Sequence, residues 1–85
     1  MKYAGPAAIR ELEPMLKDLR TLEGLLEKKP GVFYRRGKAF LHFHEDPDGL
    51  FADVRFAGVG DFERFRVSTT AERKRFVALV RIGLR

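Results

Sequence analysis

Cysteine is absent from this chain of 85 residues, which excludes a disulfide scaffold, a thiolate metal site and a cysteine nucleophile together. Long apolar runs are absent as well. Nothing approaches the roughly 20 residues of a membrane span, and the opening MKYAGPAAIRELEP lacks the apolar centre of a signal peptide. The expectation is a soluble cytoplasmic protein with no membrane partner. No glycine-rich loop opens a helix, so phosphate-cradling and dinucleotide motifs are missing. Histidine is limited to His42 and His44. Acidic residues run short in one region only: residues 62–85 carry seven Lys/Arg against Glu63 and Glu72, whereas residues 1–61 carry ten of each sign. The whole formal charge of +5 therefore belongs to the C-terminal quarter. That asymmetry favours an anionic partner at one end of the molecule, or marks an ordinary solvated helix face.

What is present describes one folded domain over residues 1–85. Hydrophobic residues make up 45% of the chain, eight of them Phe, and no low-complexity tract interrupts them, which argues against disorder. A chain this short buries roughly 60–65% of its unfolded surface, so its core is thin. Ile9, Leu12, Leu16, Leu19, Leu22 and Leu26 recur at three- and four-residue steps, which predicts an amphipathic helix over residues 6–28. Pro6 suits its first turn. Pro14 lacks an N–H and crowds the Arg10 carbonyl, which predicts a loose start or kink with the firm helix beginning near Pro14, and Gly24 is placed to end the helix early.

After KKPG at residues 28–31 the period changes to two. Val32–Arg35, Ala39–Glu45, Leu50–Phe56 and Phe62–Val67 read as strands, separated by RGK, DPDG and AGVGD turns. From Ser68 the helical period returns, with Thr69 and Glu72 spaced as a capping box and Phe76, Leu79, Val80 and Leu84 as the apolar stripe. The order predicts an α+β domain: helix, four-stranded antiparallel meander, helix, with both helices packed on one sheet face. Function is then to be sought on the other face.

The register of the central hairpin follows from its turn. Placing Asp46 opposite Gly49 sets His44 against Phe51, His42 against Asp53 and Phe40 against Arg55, and it leaves Ala39, Leu41, Phe43, Leu50, Ala52, Val54 and Phe56 on the core side. A shift by one would mix Leu41 with Arg55. The candidate binding face is therefore Phe40, His42, His44, Phe51, Asp53, Arg55, Arg64 and Arg66, with Phe62 beside them. An aromatic patch left in water points to a covering element, a protein partner or a second copy of the chain.

Three chemistries fit parts of this face. His42 and His44, two apart on a strand, could share a metal ion with Asp53 as oxygen ligand, although a His-x-His pair alone is a weak signal and a surface His–Asp couple is the commoner arrangement. An acid–base enzyme could use the same imidazoles and carboxylate, but no nucleophile accompanies them, since Ser68, Thr69 and Thr70 belong to the helix start. Salt-sensitive nucleic-acid binding would use Arg35, Arg36, Lys38, Arg64, Arg66, Arg73, Lys74 and Arg75, with aromatic rings for base stacking. The acidic Asp46, Asp48, Asp53 and Asp61 on or beside the sheet count against it.

Residues 30–56, PGVFYRRGKAFLHFHEDPDGLFADVRF, resemble a family of short bacterial proteins. Within them FYRRGKAF is similar to the hairpin of the YjbR/MmcQ-like proteins, in which an Arg-Gly-Lys turn joins two aromatic strands. The resemblance implies a small α+β domain with a curved antiparallel sheet and brings no catalytic residue or cofactor. The reading overall is a non-catalytic bacterial binding or adaptor domain that uses the open sheet face or dimerises through it. Weak nucleic-acid binding and metal binding are the alternatives.

Overall fold

In the computed structural model, which describes residues 2–85, Lys2–Tyr3 form a short strand β1 and Pro6–Arg20 form helix α1. Five further strands follow: β2 Leu26–Lys29, β3 Val32–Arg35, β4 Lys38–Asp46, β5 Gly49–Val54 and β6 Glu63–Arg66. Helix α2, Thr70–Gly83, ends the chain. The strands form one antiparallel sheet in the order β2-β3-β4-β5-β6, and β1 pairs with β4 on the edge that β3 also uses. The α+β class holds, with six strands in place of four.

Both additional strands come from segments whose sequence gives no alternation. The first helix stops at Arg20, not near residue 28, because the chain turns at Thr21 and takes a left-handed conformation at Gly24 (φ +91°). Leu26 then leaves the helical stripe, lies exposed, and pairs with Tyr34 in the β2–β3 ladder. Arg20 pairs with both Glu13 and Glu27, tying the end of α1 to β2. Pro14 does not delay the helix, which runs continuously from Pro6. Pro14 and Arg10 both lie on its exposed side, so water can satisfy the Arg10 carbonyl that the proline leaves unpaired. At the N-terminus of α1 the Gly5 amide donates to Glu45 Oε2 at 2.7 Å, so a carboxylate from β4 caps the positive end of the helix.

The central hairpin has the register its turn implies: Asp46 opposes Gly49, and the pairs run through His44–Phe51 and His42–Asp53 to Leu41–Val54. One face of the sheet presents Phe33, Leu41, Phe43, Leu50, Ala52 and Val54 to the helices, and Leu12, Met15, Leu16 and Leu19 of α1 with Phe76, Val77 and Val80 of α2 complete a single buried cluster. Helix α2 begins as its sequence indicates. Thr69 Oγ1 accepts from the Glu72 amide at 3.1 Å and Glu72 Oε1 accepts from the Thr69 amide at 2.9 Å.

Phe40 departs from strict alternation. Phe33 pairs with Leu41 but Tyr34 pairs with Ala39, so Phe40 is an extra residue of β4, a bulge. The bulge lets consecutive residues Phe40 and Leu41 both enter the core, at 1% and 0% exposure. Phe40 packs edge-on against Phe56, with ring centroids 6.0 Å apart. The Phe56 ring lies under the last turn of α2, where a Cβ on Gly83 would stand 2.3 Å from it. Phe40 therefore belongs to the core and not to the open face, as a correction to strict two-residue alternation.

Candidate functional site: the open sheet face

Strands β4, β5 and β6 bring His42, His44, Phe51, Asp53, Arg64 and Arg66 to the face away from the helices. Asp53 is its centre and is almost wholly buried, at 5% exposure. Arg64, directly opposite it on β6, donates from Nε to Oδ1 at 2.8 Å and from Nη2 to Oδ2 at 2.9 Å. This two-pronged contact, reinforced by the charges of Arg64, His44 and His42, holds the Asp53 carboxyl below its usual pKa, against burial, which pushes it up.

The imidazoles are arranged differently from the sequence expectation. His42 faces Asp53 across the ladder, yet it is His44, one pair further along, that reaches the carboxylate, with Nδ1 3.0 Å from Oδ2. The approach is close but not aligned as a hydrogen bond, so His44 Nδ1, like His42 Nδ1, is shut off from solvent without a hydrogen-bond partner among the described residues. Burial, assisted by the neighbouring His44 and by Arg64 and Arg55, holds His42 below the usual histidine pKa, while Asp53 pulls the other way. The fold thus favours the neutral form of the His42 imidazole. One donor atom from each of His42, His44 and Asp53 can be chosen so that all lie within 4.8 Å of one another.

Aromatic rings enclose the pair. Tyr3 of β1 stacks on His44 at 4.7 Å and meets His42 edge-on at 5.5 Å, and Phe62 tilts against His42 at 4.7 Å. The Arg55 guanidinium sits 4.6 Å above the Phe62 ring and donates to the Ala39 carbonyl at 2.9 Å. Arg55 thereby fixes the loop leading to β6. Sequence reasoning missed Tyr3, because a two-residue strand has no period to detect. It also did not single out Arg64 as the partner of Asp53, since that pairing depends on the β5–β6 register, which a long loop leaves open.

The basic residues offered for nucleic acid do not form one surface. Arg64 and Arg66 lie on the open face. Arg73, from α2, donates to Glu11 of α1 at 2.7 Å and to the Val67 carbonyl at 2.8 Å on the helical side. Arg35, Arg36 and Lys38 surround the β3–β4 turn, where Arg35 donates to the Leu84 carbonyl at 3.4 Å. Lys74 and Arg75 are exposed on α2. Ser68 and Thr69 are engaged structurally: Ser68 Oγ accepts from the Leu50 amide at 2.8 Å, and Thr69 caps α2.

No helix among the described residues is long and apolar enough to cross a membrane. Comparison of the chain with protein-family models, with curated proteins and with solved structures finds no match. The resemblance of FYRRGKAF to the YjbR/MmcQ-like hairpin rests on those residues alone.

Proposed function

We propose that the chain is a small, non-catalytic binding domain, of bacterial adaptor type, that holds an acidic protein segment against its open sheet face. The observation that carries this reading is Arg64 and Arg66 on β6, which pair with Asp53 and with Glu72 of α2 and still leave their side chains 51% and 49% accessible. Strand β6 ends the sheet, so an extended segment can pair with its free edge while its carboxylates reach these guanidinium groups. A second reading, a single nucleic-acid strand, is favoured by the Tyr3 ring, 63% exposed and adjoining the same patch.

The test is fluorescence anisotropy with a labelled glutamate-rich peptide and a labelled single-stranded oligonucleotide, each over a salt series, on the wild type and Arg66→Glu. Peptide binding that weakens at least tenfold in the variant is the expected result. Binding of the oligonucleotide alone selects the second reading. Binding of neither, with a dimer seen by light scattering, replaces both with self-association.

A further inference from the structure

We infer that His42, His44 and Asp53 form a binding site for one divalent transition-metal ion of the zinc type, set into the floor of the open face; the inference rests on the reading of that face as the binding surface.

Geometry comes first. An ion bound at about 2.0–2.2 Å to nitrogen and carboxylate oxygen needs its donors roughly 3–3.5 Å apart. His44 Nδ1 and Asp53 Oδ2 already stand 3.0 Å apart. The donors of the group lie within 4.8 Å of one another, so the third must move inward when an ion binds. The three residues lie on β4 and β5, whose six consecutive backbone pairs hold them in fixed relation. Two donors two residues apart on one strand, with a third on its neighbour, approach an ion from one side and leave its outer coordination positions open.

The chemistry of the donors selects the class of ion. Two imidazole nitrogens lack hydrogen-bond partners and are screened from solvent. A buried polar nitrogen left unpaired is unfavourable, and coordination through these nitrogens, in their deprotonated tautomer, would satisfy them. Arg64 holds Asp53 through Nε on Oδ1 and Nη2 on Oδ2. When Oδ2 turns to the ion, the Nε contact on Oδ1 can persist and orient the carboxylate, as outer-shell partners do in metal sites. The arginine also lowers the attraction of the site for cations bound by charge alone. Magnesium and calcium, which need several oxygen donors, are therefore excluded in favour of ions that prefer imidazole. A bound ion would present its free positions beside Arg64, where a carboxylate of the docked segment can complete the shell.

The experiment uses the full chain, freed of metal by chelator dialysis. Cobalt(II) is titrated with the visible absorption recorded, and thermal unfolding is followed with Zn²⁺, Ni²⁺ and Mg²⁺. The expected result is one equivalent of Co²⁺ giving a saturating d–d band, and a rise of several degrees in Tm with Zn²⁺ and Ni²⁺ but not Mg²⁺. Both signals should disappear in His44→Ala with circular dichroism unchanged. The proposal is overturned by a folded wild type that shows neither band nor shift, or by binding that survives in both His42→Ala and His44→Ala. The two readings separate cleanly: peptide capture without metal binding overturns only the metal site, and a cobalt band without peptide capture overturns only the acidic-segment reading.

Discussion

Asp53 and Arg64 oppose one another on β5 and β6, and both oxygens of the buried carboxylate are held by the one guanidinium. The arginine is half exposed and the aspartate almost fully buried, so the pair is asymmetric. Water can replace Asp53 as a partner for Arg64 far more readily than it can replace Arg64 as a partner for Asp53.

Arg64→Ala should consequently destabilise the fold more than Asp53→Asn, which keeps the shape of the side chain and removes its charge. The double variant Asp53→Ala/Arg64→Ala should be less destabilised than the two single alanine variants combined, as contacting partners are. Urea denaturation of these four variants and the wild type measures this. Carbon-13 NMR of the Asp53 carboxyl in Arg64→Ala should show its titration moved upward toward the usual aspartate range.

Stability should depend on pH in two separate windows. His42 has a lowered pKa in the fold, so below about pH 6.5 the unfolded chain takes up a proton that the folded chain resists, and stability falls with acidification. Asp53 is also lowered. Its stabilising contribution is present above about pH 4 and is lost as pH falls further, through its folded value. His42→Gln should remove the first decline and keep the second, as read by Tm across pH 3–8.

Gly83→Ala tests the contact between α2 and the bulged strand. The new methyl group would meet Phe56 ring carbons at 2.3 and 2.4 Å, and Phe56 is itself braced by Phe40. Overpacking of this kind costs about 1–3 kcal/mol, even though alanine is the better helix former. A lower urea midpoint with an unchanged slope is the expected outcome.

Thr69→Ala should cost about 1 kcal/mol by leaving the Glu72 amide without its acceptor. Thr69→Asp should restore most of the loss, because a carboxylate both caps and suits the positive end of α2.

These residues also show what a sequence can and cannot reveal. The β4–β5 register was legible because the Asp46–Gly49 turn and the apolar alternation on one face agree, and a slip of one would bury Arg55 beside Leu41. The α2 start was legible because the capping box is local chemistry. Phe40 was not, since a bulge depends on how β3 meets β4 and leaves no mark on the period of β4 itself. Residues 26–29 were not, since Leu22 and Leu26 keep a helical spacing and only the pairing of Leu26 with Tyr34 decides against it. Within the site, the placement of His42, His44 and Asp53 on one face was readable. The exchange of partners, with Arg64 and His44 taking the carboxylate, came from the β5–β6 pairing across an eight-residue loop, Arg55–Phe62.

Strand β1 has a practical consequence for handling the protein. It occupies the same edge of β4 as β3, further along, and its Tyr3 is the cover over both imidazoles. Lys2 pairs with Glu45, one step from the Tyr3–His44 pair, so a polyhistidine tag fused ahead of it would start within reach of the histidine pair and compete for its ion. A tag after Arg85 instead leaves from the end of α2, on the helical side of the sheet, and the histidine pair keeps its own surroundings.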